Sequence, residues 1–219
     1  GGATFPTIGL NADINIAGKT AVFTGLTALS RIEGSLTLEG GQELTLDQGL
    51  ETTSTGALNV LGGSNLIVNG NFLQDGDLNV GPDSYAGITG TFSTTANSTT
   101  HIDGVLEAAQ LDIAEDALLT GAGRVSGGIY VQGELNPGNS PGTIQTFGSY
   151  IQDSQGTLTL DLLGPDAGED HDQVLAKTAV LFGTLNLAAG PDVLTTAYGK
   201  ELDLIVTDDG YIGQFDQIL

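Results

Sequence analysis

The chain has 219 residues, with 27 acidic residues against 5 Lys and Arg, a formal net charge of −22, and 34 glycines beside 7 Phe, 5 Tyr and no Trp. A field that negative repels phosphate backbones and anionic lipid surfaces, which excludes nucleic-acid binding and leaves cations, basic proteins or neutral glycans as partners. Cysteine is absent, so there is no disulfide framework and no thiolate metal site, and no apolar run reaches the length of a bilayer span.

Methionine is missing too, at position 1 as elsewhere. The chain is therefore expected to begin after a processing step, with any signal peptide upstream, and to be a soluble, exported piece without membrane insertion. So few large aromatics suit a thin interior of stacked Leu, Ile and Val with glycine at the corners.

In chain order, Phe5 to Leu10 (FPTIGL) is predicted to be an end cap or a donated strand. From Ser35 a short pattern recurs as SLTLEGG, ELTLDQG, ALNVLGG, NLIVNGN and DLNVGPD. Its inward candidates are Leu36 and Leu38, Leu44 and Leu46, Leu58 and Val60, Leu66 and Val68, and Leu78 and Val80. Each pair has the strand spacing of two, with Thr, Asn, Glu and Asp between them facing out. The leading leucines are 8, 14, 8 and 12 residues apart, as expected for coils of two or three strands with loops of varying length. Thr91 to Thr100 reads as a polar strand or an outward loop, and Phe92 and Ile102 still supply the core. Val105 to Leu119 is the best helix candidate, yet Leu111 and Ile113 keep strand spacing and the neighbours are strand-like, so strands are favoured.

Gly121 to Gly142 packs short apolar segments between glycines and closes on two Pro/Gly corners, Pro137-Gly138 and Pro141-Gly142. Longer strands are expected after it, over Thr143 to Gln152, Thr157 to Leu163, Gln173 to Leu175, Val180 to Leu187 and Glu201 to Thr207. The acidic loop Gly164 to Asp172 interrupts them. The division expected is solenoid coils over residues 1–142, and C-terminal coils or a more sheet-rich cap over 143–219, continuous with the same solenoid.

The closing run of that glycine-rich stretch, PGNSPGT, resembles a motif of β-helical passenger regions in bacterial autotransporters and related secreted surface proteins. Asp170-His171-Asp172-Gln173, the GTLNL run from Gly183 to Leu187, and the ending that carries Gly213-Gln214-Phe215 are similar to that family's later strands. Ala176-Lys177-Thr178 departs from it, standing where the family usually has glycine. The resemblance covers residues 121–219 and is one of style before that. It implies an all-β, right-handed parallel β-helix (a β-solenoid) at the bacterial cell surface. At about 20 residues per coil and about 4.8 Å per rung, such a chain makes on the order of ten coils and a rod about 50 Å long.

Four patterns with chemical precedent were weighed. Gly138-Asn139-Ser140-Pro141-Gly142 fits G-x-S-x-G, but Pro141 lacks the N–H an oxyanion hole needs after the serine. Gly121, Gly123 and Gly127 are spaced G-x-G-x-x-x-G with no helix after them, so they read as coil corners and not a dinucleotide loop. Asp166, Glu169, Asp170 and Asp172 could supply oxygen ligands for a weak Ca²⁺ site, though a solvated turn is the plainer reading and no other cofactor is implied. His101 and His171 belong to no transition-metal motif.

A polysaccharide lyase would need clustered basic residues, and Lys19, Arg31, Arg124, Lys177 and Lys200 are scattered. Tyr85, Tyr130, Tyr150, Tyr198 and Tyr211 are also far apart in sequence. The expected function is a non-enzymatic extracellular stalk, adhesive passenger or fibre subunit able to self-associate through its ends and to contact cell-surface or matrix components. The alternative is a glycan-binding or polysaccharide-cleaving β-helix.

Overall fold

A computed structural model describes residues 4–19, 23–138, 141–191, 193 and 197–219. Short strands turn at corners and stack in parallel into three sheets of ten, ten and eight strands. Successive strands visit the sheets in rotation, so every third strand is a spatial neighbour. The eight strands of the third sheet mark eight complete coils among the described residues, with a two-strand partial coil at each end. The chain is a β-solenoid.

The inward residues are those that alternation selects. Leu36, Leu58 and Leu78 lie in one registered row, Leu38, Val60 and Val80 in the next, all buried. In the first sheet the row runs Leu50, Phe72, Phe92, Leu111, Ile129, Tyr150, Ala179 and Tyr211. Phe72 and Phe92 stack within it with ring centroids 4.9 Å apart. Parallel register places identical or similar side chains one rung apart, which makes a continuous apolar column.

Several polar side chains enter this interior with partners in their own coil and the next. Gln152, fully buried, donates to the carbonyls of Gly156, Phe182 and Thr184 at 2.9, 3.0 and 2.9 Å, and its Oε1 accepts from the Tyr150 hydroxyl at 2.5 Å. Gln74 does the same in the same sheet four coils earlier, donating to Gly76 and Thr99 carbonyls and accepting from Thr100. At another corner the Ser64 hydroxyl accepts from the Gln42 N–H, and Ser84 from Gly63.

The helix alternative for 105–119 gives way to strands Val105–Glu107, Gln110–Ile113 and Leu118–Gly121. Phe5 to Leu10 contains strand Thr7–Ile8, which pairs with Arg31–Ile32 as the first strand of the first sheet. Three C-terminal expectations need correction. Thr143 to Gln152 is two strands, Thr143–Thr146 and Ser149–Gln152, and the 180–187 segment divides between Thr178–Leu181 and Thr184–Ala189. The breaks fall at Phe147-Gly148 and Phe182-Gly183, where the chain passes to the next sheet and both phenylalanines stand exposed. Gly183 turns with φ +67°, a region that favours glycine. Of Glu201 to Thr207, only Ile205–Thr207 is strand.

All three sheets continue across residue 142. What changes is coil length. Registered partners are 16 residues apart at Leu118 and Glu134 (134 − 118) and 33 apart at Thr184 and Gln217 (217 − 184). The extra residues leave the coil as excursions, chiefly 163–172 and the stretch before Ile205.

Candidate functional site

The acidic excursion is closed by its own backbone. Leu163 and Gly164 N–H both donate to the Asp170 carbonyl, and Asp170 N–H returns to the Asp166 carbonyl at 2.6 Å. Asp166 and Glu169 are exposed and Asp170 half-buried, whereas Asp172 is fully buried. Asp172 turns away from the loop into the coil, where its two oxygens accept from Gly142 N–H and Asp161 N–H, each at 2.7 Å. Burial pushes its carboxyl above the usual aspartate range and the nearby Asp161 charge adds to this, while the two amide hydrogen bonds and His171 act the other way. Asp172 thus ties the Pro/Gly corner to the excursion. The loop does not bring Asp166, Glu169, Asp170 and Asp172 together: among the described residues no three His, Cys, Asp or Glu are grouped to hold a metal ion.

His171 is buried beside this tie, its Nδ1 3.1 Å from the Gly164 carbonyl, and its Nε2 has no partner. His101 pairs with Asp103 at 2.9 Å on the rod surface. Asn139 and Ser140 of the G-x-S-x-G pattern lie outside the described residues. Gly121 and Gly127 are coil corners: an added Cβ would meet the Ile102 carbonyl at 2.1 Å and the Ala108 carbonyl at 1.9 Å, and strand Gly128–Val131 follows.

Two further surfaces stand apart from these motifs. The first is the C-terminal end. Ile205, Tyr211 and Ile218 take the inward register of Val174, Ala179 and Leu185, and among the described residues no further strand pairs over them. Tyr211 is 68% and Ile218 65% exposed.

The second is a groove at the N-terminal edge of the third sheet, which opens at one end against inward Ile16, Leu38 and Leu44 and runs at the other along the sheet's outer face. Two adjoining cavities of about 610 and 450 Å³ share Glu43, Leu44, Thr45 and Asn65. Lys19 and Phe23 line the far end, and Ile67 and Tyr85 the near one. Strand Glu43–Leu46 is the sheet's edge. Gln42 and Leu46 carbonyls accept from Asn65 and Asn69, so Glu43 and Thr45, of opposite parity, turn their backbone groups to the open side. Asp47 N–H, of the same parity, donates to Thr27 there.

Outward rows Glu43, Asn65, Tyr85, Val105 and Thr45, Ile67, Gly87, Glu107 run side by side. Tyr85 leans across from the first row into the space left by Gly87 and donates to Glu107 Oε2 at 2.7 Å. A Cβ on Gly87 would stand 2.7 Å from the Tyr85 hydroxyl, 2.9 Å from ring Cε1 and 3.1 Å from Ile67 Cδ1. The ring therefore lies along the sheet beside Ile67. Burial first, and the Glu107 hydrogen bond second, push the Tyr85 hydroxyl up to about 12. The sequence carried one signal for this site, a glycine inside the strand YAGI, which marks a close approach.

No family model and no curated protein matches this chain. Among the described residues no helix is long and apolar enough to cross a membrane.

Proposed function

We propose that the chain is a non-enzymatic structural and adhesive rod of the bacterial cell surface, joined end to end with further copies of itself. The observation that carries this reading is the parallel stacking: the ladders of all three sheets run in one direction as far as strands Ile205–Thr207, Tyr211–Gly213 and Gln217–Ile218, whose outer edges can pair with a further coil. Strands within each sheet run parallel, so a second copy translated along the rod continues each ladder without reversing direction. The similarity of the PGNSPGT turn to secreted passenger regions supports the surface location. The dense negative charge keeps such rods apart laterally, which favours axial over side-to-side contact.

Negative-stain electron microscopy and sedimentation across a concentration series test it. Wild type is expected to form rods in whole-number multiples of one length, and Ile218→Asp, placed in the uncovered column, to stay single. Single short rods at every concentration and salt level overturn the axial joint.

A further inference from the structure

Beyond the rod itself, the geometry points to a subsite for a neutral pyranoside on the outer face of the third sheet, with Tyr85 as its stacking platform. The site stands on the third sheet alone and does not depend on axial joining.

The floor is apolar and flat. The Tyr85 ring lies along the sheet over Gly87 with Ile67 beside it, held by the hydroxyl bond to Glu107. A pyranose presents one face of C–H bonds to such a ring and directs its hydroxyls sideways. Sideways here stand Glu43, Thr45 and Asn65 on one flank and Glu107 on the other, all exposed at their side chains. Carboxylates accept from sugar hydroxyls, and the Asn65 amide both donates and accepts. The groove continues past the platform along the Glu43 and Thr45 side chains toward Lys19, so a second sugar unit meets further donors and acceptors.

The ligand class follows from charge. Glu43 and Glu107 flank the platform on a chain of net charge −22, which disfavours uronates and sulfated or sialylated sugars. A neutral saccharide pays no such penalty. One position makes the site possible. Gly87 has no left-handed φ, so a side chain is compatible with its backbone, and the Tyr85 ring, with Ile67 Cδ1 beside it, competes for the space.

The test is titration calorimetry and saturation-transfer NMR with neutral oligosaccharides of glucose, galactose, mannose and N-acetylglucosamine, beside galacturonate oligomers of equal length. At least one neutral series is expected to bind, with saturation transfer to its C–H protons, and the galacturonates to bind more weakly. Tyr85→Ala is expected to weaken binding about tenfold or more, and Gly87→Val to do the same by displacing the ring. Tyr85→Phe keeps the ring but loses its tie to Glu107, and is expected to bind severalfold more weakly. Circular dichroism and melting establish that each variant keeps the fold, and these outward positions are expected to leave both unchanged. The proposal fails if no neutral saccharide binds, if galacturonates bind better, or if Tyr85→Ala and Gly87→Val bind like wild type. It also fails if a strand-forming peptide such as Ser64 to Asn69 of this chain occupies the groove while sugars do not.

Discussion

The two ends of this rod follow the same register and reach opposite outcomes. At the N-terminal end Ile8 and Ile16 are buried in one core with Leu26 and Leu29. The segment that carries these leucines turns through a single 3₁₀ turn, Thr24–Leu26, with Leu26 N–H donating to the Phe23 carbonyl and Leu29 N–H to the Leu26 carbonyl. At the C-terminal end Tyr211 and Ile218 occupy equally inward positions and stay open to solvent. Register assigns a side chain to the inside, but only a neighbour on both axial sides buries it. Burial in a solenoid is a nearest-neighbour property, and stability is expected to fall from the middle coils to the last one.

Mutations along the columns can break this contrast. The largest effect belongs to the middle: Leu58 has Leu36 on one side and Leu78 on the other and is fully buried. Leu58→Ala is expected to cost about 2–5 kcal/mol in denaturant unfolding, since stacked rungs cannot close over the cavity. A loss under about 1 kcal/mol would mean that the coils relax along the axis and that the middle is no better packed than the end.

Next comes Gln152, which links its own coil to the following one. Gln152→Leu keeps the volume but leaves the buried Tyr150 hydroxyl without its acceptor and the carbonyls of Gly156, Phe182 and Thr184 without this donor, for about 1–3 kcal/mol. Hydrogen exchange sharpens the comparison: the Thr178–Leu181 and Thr184–Ala189 strands should lose protection while Ala57–Val60 keeps it. Equal loss in both places would make the rod one cooperative block.

Much of this architecture was legible before any coordinates. Alternating Leu and Val named the inward columns correctly because a period of two is a local property of a strand. The corners of the second half were harder. Phe147 and Phe182 are apolar residues inside apolar runs, and only the stacking of Gly148 on the Gly127-Gly128 corner shows that the chain turns there. In the acidic loop, too, a spatial partner lies outside the segment. Proximity in sequence grouped four carboxylates, but Asp172 answers to Gly142, 30 positions earlier, and leaves the group. The Tyr85 platform needed a three-coil register to appear, since Ile67, Gly87 and Glu107 are each one coil apart.

A smaller effect comes from Asp172, where the long C-terminal coils begin. Its carboxyl is raised in the folded chain, so the folded state takes up a proton more readily than the unfolded one. The stability that follows is fully present below the ordinary value of 3.8 and is lost as pH rises through the raised folded value. Asp161 and His171 are the titrating neighbours that tune it. Asp172→Asn removes this decline and leaves one of two amides unpaired, so its stability curve should be lower but flatter above pH 3.8. Parallel curves for the two proteins would remove Asp172 as a source of pH dependence.

The smallest effect is expected where register promises the most. Tyr211→Ala removes a large inward aromatic, which in a middle coil would cost about 3–5 kcal/mol. Here the ring is 68% exposed, so little apolar area returns to water, and the change in a dilute monomer should stay within about 0.5 kcal/mol. Concentration then separates two explanations of the open end. If further copies cover it, wild-type melting rises with protein concentration by mass action while Tyr211→Ala stays flat, and the two diverge only in concentrated samples. If the end is tolerated as an exposed surface, both melt at the same temperature throughout. A large loss in the dilute variant would show instead that Tyr211 already packs against Ala179 and Tyr150 as an interior residue does, and the contrast between the ends would disappear.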